Sequence, residues 1–216
     1  VEGIGPLKVD ALTAPETKSL SEALATGSDV TLRVDRTEDC PHYLAVELSN
    51  VTVADSPEWA QKQLRAIGVQ PINNVVDATN LVLHEFGNPL HAFDLAHISG
   101  RAVVVRKANP EEPFVTLDGQ ERSLHGHDLV IADASSPMCL AGVYGGAHSG
   151  VSEGTTEVLL EAAWFHPVTV RKTAKRHGLN TDASFRFERG VDPNAVRLAA
   201  ELSLIHISEP TRRPII

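Results

Sequence analysis

The run Val158-Leu159-Leu160-Glu161-Ala162-Ala163 is apolar at every position but one. Such a short, continuous apolar run predicts a strand that is buried in a sheet. A carboxylate inside this strand costs free energy unless it is paired. Glu161 is therefore expected either to face solvent at a sheet edge or to bind a polar group, which makes it the first candidate functional residue.

The rest of the chain mixes short strand-like runs with longer runs of helical spacing. Strands are predicted at 30–34, 43–53, 103–105, 114–117, 129–132 and 139–144. Helices are predicted from Ser56, as N-cap, to Gly68, over 74–86 and 167–177, and from Asn194 onwards. Because the two kinds of element are interspersed without a regular βα alternation, the sequence predicts an α+β fold, with a mixed β-sheet core and flanking helices in a single module.

The composition is that of an ordinary globular protein. Of the 216 residues, 42% are hydrophobic and 22% are charged, and the formal net charge is −9. No stretch of about 18 consecutive apolar residues occurs, so neither a transmembrane helix nor a membrane partner is expected. The only cysteines, Cys40 and Cys139, are too few for a disulfide framework or a Cys-rich zinc site. No charged-then-apolar leader opens the chain, so the expected location is the cytoplasm.

Three segments are expected along the chain. Residues 1–28 are rich in Ala, Thr, Ser, Pro and Gly and have the character of a linker or the remnant of a preceding domain. Residues 29–201 form the module itself. Residues 202–216 begin LSLIHISEPTR, which looks like the translated end of a transposase-type sequencing adapter, so this tail is expected to be non-native. The last helix is expected to break there, because Pro210 and Pro214 cannot continue it.

Polar residues also lie in two other segments that otherwise have core character. Asp77-Ala78-Thr79-Asn80 lies on a predicted helix and is followed by His91-Ala92-Phe93-Asp94. Gly142-Val143-Tyr144-Gly145-Gly146 ends a predicted strand, where free N–H groups could stabilise a carbonyl oxygen that becomes negative. Each feature has a structural alternative: His91 can anchor a loop by bonding Asp94, the glycines can shape a turn, and Glu161 can point into water.

The ten histidines raise the question of a metal site. His125-Gly126-His127 with Asp133 nearby could bind zinc, but no HExxH or other compact ligand set accompanies them, so loop histidines and no metal are expected. The chain also lacks a GxSxG elbow, a Walker loop and a GxGxxG run. A covalent serine mechanism and an ATP site on this stretch therefore both lack support.

A cluster of basic residues lies within this acidic chain. Between 164 and 198, seven basic residues face three acidic ones. On the predicted helix 167–177, two pairs spaced four apart form a cationic face: Arg171, Lys175, Lys172 and Arg176. Such a face is a candidate site for a phosphate backbone. The alternative is a solvated helix face, with Arg186 and Arg189 in ion pairs.

Five ordered motifs resemble those of the bacterial phenylalanyl-tRNA synthetase beta chain. In chain order they are 71–80 (PINNVVDATN) with 89–94 (PLHAFD), 116–119 (TLDG), 140–146 (LAGVYGG), 160–163 (LEAA) and 177–193 (HGLNTDASFRFERGVDP). The resemblance covers roughly Asp39 to Glu201 and implies the beta-chain module that edits mischarged tRNA. One departure is His42, which stands where Arg is expected.

The resemblance implies a whole enzyme of two alpha and two beta chains, which joins phenylalanine to its tRNA with ATP and magnesium. The ATP-dependent site is expected on the alpha chain, so no cofactor is expected in this stretch. The module implied here is a second site that hydrolyses tyrosine wrongly attached to that tRNA. A second site is needed because an apolar pocket rejects an added hydroxyl by only about a hundredfold.

The resemblance also implies roles for particular residues. Glu161 reads the tyrosine hydroxyl as an acceptor that phenylalanine would leave unpaired. His91 orients the ester or the attacking water, with general-base action as the open alternative. Thr79 and Asn80 line the same pocket near the terminal adenosine. Backbone donors to the substrate are expected from Gly142, Gly145 and Gly146, and tRNA contacts from Arg171, Lys172, Lys175 and Arg176.

Two other classes of function stay open at this point. The chain can be a non-catalytic tRNA-positioning or subunit-contact module, in which the polar constellation is a satisfied polar core. It can also be a metal-dependent hydrolase that uses His125, His127 and Asp133. Release of tyrosine from mischarged tRNA, measured with and without a chelator, separates the three.

Overall fold

The computed structural model describes residues 29–208, so the predicted linker 1–28 and the end of the predicted tail, 209–216, lie outside the described residues. In this range the strands are Thr31–Val34 (β1), His42–Leu48 (β2), Leu90–Asp94 (β3), Ala102–Lys107 (β4), Pro113–Val115 (β5), Glu121–Ser123 (β6), Leu129–Ala132 (β7), Pro137–Leu140 (β8), Tyr144–Gly145 (β9) and Val158–Trp164 (β10). The α-helices are Glu58–Ala66 (α1), Asn74–Phe86 (α2), Pro167–His177 (α3), Asp182–Phe187 (α4) and Ala195–Ser208 (α5). None of the helices in 29–208 has the length and apolar content that crossing a bilayer requires.

The strands of the described residues form three sheets. The first has the order β1-β4-β7-β8-β9 and is antiparallel except for the parallel pair β1–β4. The second is antiparallel with the order β2-β10-β3, and the third is the hairpin β5–β6. The α+β fold with a mixed-sheet core is thereby confirmed, although the sequence did not predict that the strands divide into separate sheets.

Strand β10 lies at the centre of the three-stranded sheet, and its alternate residues face two different layers. On one face, Val158 and Ala162 pack against α2 and α5. On the other face, Leu159 and Ala163 belong to the main core, which they share with the five-stranded sheet. Glu161 has the parity of Leu159 and Ala163, so its side chain faces the layer between the two sheets.

Local capping sets the bounds of α2 and α3. The side chain of Asn73 accepts hydrogen bonds from two first-turn amides of α2, and Gly87 ends this helix in the left-handed conformation at φ 72°. Pro167 stands in the first turn of α3, and Gly178 ends it in the same left-handed conformation. Both predicted helices, 74–86 and 167–177, are confirmed with their bounds.

Ser56 has a different role from the one predicted. It does not cap α1, where Pro57 takes the N-cap position without a side-chain hydrogen bond. Its hydroxyl donates instead to the buried carboxylate of Asp77 at 2.5 Å, and the amide of Ile72 donates to the same carboxylate at 2.8 Å. Asp77 therefore joins α2 to the segments before it, and its polar group is satisfied within the fold.

The segment 139–144 is not one strand, as the sequence predicted. Strand β8 ends at Leu140 and β9 begins at Tyr144, and Gly142 turns the chain between them at φ 67°. The sequence also gave no indication of β3, which pairs with β10 from Leu90 to Asp94. This missed strand carries His91.

Helix α5 continues past Leu202 and ends at Ser208, so it does not break where the predicted tail begins. Its last turns bury Ser203 and His206. The Ser203 hydroxyl and both ring nitrogens of His206 have no hydrogen-bond partner among the described residues. The non-native origin of residues 202–216 stays a prediction. Buried polar groups in native helices are usually hydrogen-bonded, so these unpaired groups agree with that prediction.

Candidate functional site

Glu161 is 5% exposed and lies in the layer between the two sheets. It accepts a hydrogen bond from the hydroxyl of Tyr43 on the neighbouring strand β2, with 2.8 Å between Tyr43 Oη and Glu161 Oε2. Ala45 lies directly opposite Glu161, so Tyr43 is its diagonal neighbour on the same face of the sheet. The other carboxyl oxygen, Oε1, has no hydrogen-bond partner among the described residues and is not fully enclosed by protein atoms. Glu161 is thus buried and does not point into bulk solvent, and one of its two carboxyl oxygens is hydrogen-bonded.

The surroundings of Glu161 favour its neutral form. Burial raises the pKa of Glu161 to about 8, although the hydrogen bond from Tyr43 opposes this shift. Burial also raises the pKa of the Cys40 and Cys139 thiols, and the nearby Glu161 charge raises both further. The pKa of Tyr43 is raised by burial and then by the same carboxylate. Glu161 therefore lies among a phenol and two thiols, and most of it is protonated at pH 7.

His91 lies directly opposite Glu161 on β3 and faces the same layer. Its ring packs edge-on against Phe93, with 4.5 Å between the ring centroids. Burial lowers the pKa of His91 to about 4, so the imidazole is neutral at pH 7. Its ring nitrogens have no partner among the described residues, and the alternative loop anchor with Asp94 is not formed, because that carboxylate accepts from the Thr155 hydroxyl at 2.5 Å.

Strand β9 brings Gly145 to this layer, and Gly146 follows directly after the strand. A Cβ at Gly145 would lie 3.1 Å from His91 Cε1 and 2.9 Å from Leu117 Cδ1, so the close approach of both side chains requires glycine. Leu117 is 54% exposed and lies at the rim of the site. A Cβ at Gly146 would lie 2.6 Å from the Met138 carbonyl oxygen, and the Gly146 N–H donates to that oxygen at 2.8 Å. The expectation that the Gly146 amide is free for substrate is therefore wrong in this conformation.

Gly142 is not brought to the same place. A Cβ there would lie 2.9 Å from both Phe165 and Phe187 and 3.2 Å from Val170. These neighbours belong to the main core and none is a predicted site residue. The structure thus gives Gly142 a role in packing a turn against aromatic side chains.

Thr79 and Asn80 lie on α2, which packs on the other face of the three-stranded sheet. The buried Thr79 hydroxyl donates to the Val76 carbonyl in its own helix at 2.7 Å. Asn80 is half-buried, and within residues 29–208 its side chain makes no hydrogen bond. Neither side chain makes a hydrogen bond to Glu161 or His91 among the described residues. Their role in the pocket stays a prediction.

The candidate zinc ligands do not form a set. The His127 amide donates to His125 Nδ1 at 3.2 Å, whereas Asp133 accepts from the amides of Ser99, Ser135 and Ser136. Over the part of the chain that the structure describes, no group of three His, Cys, Asp or Glu side chains could hold a metal ion. A metal-dependent hydrolase built on His125, His127 and Asp133 is therefore not supported.

The cationic face of α3 separates into two kinds of residue. Arg171, Lys172 and Lys175 are exposed and have no ion-pair partner among the described residues. Arg176 instead pairs with the fully buried Asp128, which also accepts from His177 at 2.7 Å. Arg176 is thus engaged in an ion pair that joins α3 to the loop before β7, and its contact with a phosphate backbone stays a prediction.

The structure adds Tyr43 to the site. Alternation along the predicted strand 43–53 puts Tyr43 and Ala45 on one face, but the sequence does not show which strand lies beside β10. The contact between Tyr43 and Glu161 joins residues that are 118 positions apart. Together the site presents a buried carboxyl with one oxygen unpaired among the described residues, a neutral imidazole opposite it, and Gly145, whose lack of a side chain lets that imidazole pack closely.

Comparisons with known proteins agree with the sequence motifs. The model of the B3/4 domain family matches residues 39–210. The phenylalanine–tRNA ligase beta subunit of Bacteroides thetaiotaomicron is 54% identical over 84% of this chain and 22% of its own length, and that of Porphyromonas gingivalis is 55% identical over 82% and 22%. An N-terminal fragment of the phenylalanyl-tRNA synthetase beta subunit from Pyrococcus horikoshii overlaps with a TM-score of 0.47 at 15% identity, covering 69% of this chain and 50% of that chain. The chain spans about a fifth of the length of the two bacterial relatives.

Proposed function

Because this chain belongs to the B3/4 domain family, we propose that it is the proofreading module of a phenylalanine–tRNA ligase beta subunit and that it hydrolyses tyrosine wrongly attached to the phenylalanine tRNA. The observation that carries the proposal is Glu161, a buried carboxyl that already accepts one phenolic hydroxyl and has a second oxygen free. Tyrosine differs from phenylalanine by one phenolic hydroxyl. A site that pairs this hydroxyl discriminates strongly, because phenylalanine leaves the acceptor unpaired.

The reaction is ester hydrolysis without a covalent enzyme intermediate. The water oxygen forms a bond to the ester carbonyl carbon, and the bond from this carbon to the ribose oxygen breaks. One proton of the water goes to the ribose oxygen, which leaves as the free hydroxyl of the tRNA, and the other goes to solvent as the tyrosine carboxylate forms. The absence of a side chain at Gly145 lets the His91 ring pack close to the backbone of β9.

His91 orients the ester or the water rather than acting as the main base. A general base works best when its pKa lies near the working pH, and the pKa of His91 is lowered to about 4 by burial. A neutral imidazole can still donate one hydrogen bond and accept another. His91 therefore fits a role in which its imidazole hydrogen-bonds the ester or the attacking water and so orients it.

The names of the relatives support further proposals about the rest of the enzyme. We expect a partner alpha subunit, two of each chain in the assembly, tRNA as a ligand and a cytoplasmic location. ATP and magnesium are expected on the alpha chain.

Replacement of Glu161 by Ala tests the proposal. In the assembled ligase that carries this chain, Glu161→Ala should abolish the preference for releasing tyrosine over phenylalanine from the same tRNA, a loss of about a hundredfold in the ratio of rates. The measurement is deacylation of purified tyrosyl- and phenylalanyl-tRNA. Glu153→Ala is the matched control, because Glu153 is exposed and has no partner among the described residues.

An unchanged preference in Glu161→Ala would refute the role of this residue. Retained charging of tRNA with phenylalanine in the same variant shows that the enzyme is still assembled. Release that is absent from the wild type as well would favour the second candidate, a module that only positions tRNA. The unpaired cations on α3, Arg171, Lys172 and Lys175, are the observation that favours this second function.

A further inference from the structure

We propose that Tyr43 is a positioning residue that sets the direction in which Glu161 accepts a substrate hydroxyl, an inference that rests on the proposed function. The Tyr43 hydroxyl occupies Oε2 and leaves Oε1 as the oxygen without a partner among the described residues. A free carboxyl group presents two oxygens that exchange places by rotation. With Oε2 bonded to Tyr43, the carboxyl group is held in one orientation, and Oε1 is the oxygen that it presents to a substrate.

The sheet holds Tyr43 in place. Strands β2 and β10 pair without a break over seven residues each, from Leu48 opposite Val158 to His42 opposite Trp164. Tyr43 lies opposite Ala163, and its half-buried ring packs against the main core. The phenol therefore reaches Glu161 from a rigid element, and rigid elements hold binding groups more accurately than loops.

Tyr43 also acts on the ionisation of Glu161. A hydrogen bond donated to a carboxylate favours its charged form, which opposes the effect of burial. The other titratable groups around this carboxyl are the neutral thiols of Cys40 and Cys139 and the neutral imidazole of His91. Of these groups, Tyr43 is the one that donates to Glu161. Its removal should shift the pKa of Glu161 further upwards.

A rival interpretation makes the opposite prediction. The contact between Tyr43 and Glu161 is a phenol on a carboxyl, which is the contact proposed for the substrate. Tyr43 could therefore compete with tyrosine for Glu161 as an internal plug. Removal of its hydroxyl would then strengthen tyrosine recognition, whereas removal of a positioning hydroxyl weakens it.

The test is Tyr43→Phe in the assembled ligase, with deacylation of tyrosyl- and phenylalanyl-tRNA measured from pH 6 to pH 9. We expect the ratio of tyrosine to phenylalanine release to fall about tenfold. We also expect the rise of this ratio with pH to move to higher pH, which a merely structural role of Tyr43 would not cause. Tyr144→Phe is the matched control: Tyr144 is the only other tyrosine, and alternation along β9 points it away from the His91 side that Gly145 faces.

A double variant separates the outcomes. If Tyr43 acts through Glu161, Tyr43→Phe combined with Glu161→Ala should show the same ratio as Glu161→Ala alone. Additive losses, or a Tyr43→Phe ratio that is unchanged or increased, would overturn the inference. Retained preference in Glu161→Ala would refute Glu161 as the hydroxyl acceptor and this inference with it, whereas absent release in the wild type would overturn the proposed function. Phenylalanine charging by each variant reports that the subunits remain assembled.

Discussion

In the proposed function, the selectivity of Glu161 for the tyrosine hydroxyl depends on its protonation state. The neutral carboxyl can accept a phenolic hydrogen bond, but a charged acceptor makes a hydrogen bond roughly twice as strong. The charged form is also more costly to leave unpaired beside phenylalanine. Because burial raises the pKa of Glu161 to about 8, the balance between these states changes in an accessible pH range.

The preference for tyrosine should therefore increase with pH. We expect the ratio of tyrosine to phenylalanine release to rise about tenfold between pH 6.5 and pH 9, as Glu161 ionises. The ratio, rather than either rate, is the measurement, since hydroxide accelerates both hydrolyses equally. The Glu161→Gln variant cannot ionise and should give a ratio that is flat over the same range. A flat ratio in the wild type would contradict the assignment of Glu161 as the hydroxyl acceptor.

The folding stability of the chain should fall as Glu161 ionises at higher pH, whereas the preference for tyrosine should rise. The folded pKa of Glu161 is raised above its usual value near 4.5, so the folded state binds more protons than the unfolded state between pH 4.5 and pH 8. The favourable contribution is fully present below this window and is lost as the pH rises through it. Glu161→Gln should therefore raise the melting temperature of the chain more at pH 8 than at pH 5. Thermal unfolding at the two pH values checks this, and an equal change at both would contradict it.

Individual helices follow from the sequence more closely than strands do. The caps Asn73, Gly87 and Gly178 act on residues within one or two turns, so α2 and α3 have the predicted bounds. Strand β3 has no such local signal, because its stability comes from pairing with β10, more than sixty positions later. The sequence pointed to Glu161 and to His91 separately. It did not point to Tyr43, because the contact of Tyr43 with Glu161 depends on the pairing of β2 with β10.

Helix α5 contains a local defect that a substitution can remove. The ring of His206 is buried against Trp59, and within residues 29–208 neither ring nitrogen has a hydrogen-bond partner; burial lowers the pKa of His206. His206→Leu should stabilise the chain by about 1–2 kcal/mol at pH 7, because the unpaired polar atoms are lost from an apolar site. Denaturant unfolding measures this change, and His148→Leu is the control at an exposed histidine.

The sign of the pH dependence provides a second measurement for α5. A histidine whose folded pKa is lowered stabilises the fold above the unfolded pKa of about 6.5, and this contribution is lost as the pH falls through the window below it. The gain from His206→Leu should therefore be larger at pH 5.5 than at pH 7.5. A destabilised His206→Leu variant would instead show that the imidazole makes a favourable contact in the helix.

The chain as a whole is acidic, so the proposed binding of tRNA has to depend on a local basic surface. The chain carries a net charge of −9, yet Arg171, Lys172 and Lys175 lie exposed and unpaired among the described residues of α3. Arg176, on the same helix, is held by the buried Asp128. One sequence pattern thus contains two physical roles, and the ion pair with the buried Asp128 distinguishes Arg176 from the other three.

These two roles predict different results from substitutions on one helix. Replacement of Arg171, Lys172 and Lys175 together by Ala should weaken tRNA binding and lower the slope of log affinity against log salt by about one for each lost phosphate contact, with little change in stability. Arg176→Ala should leave the salt slope unchanged and destabilise the chain by about 1–3 kcal/mol, because Asp128 loses a charged partner while His177 remains. Lys62→Ala with Arg65→Ala on α1 is the charge control. Equal salt slopes in the triple variant and the wild type would show that tRNA approaches another surface.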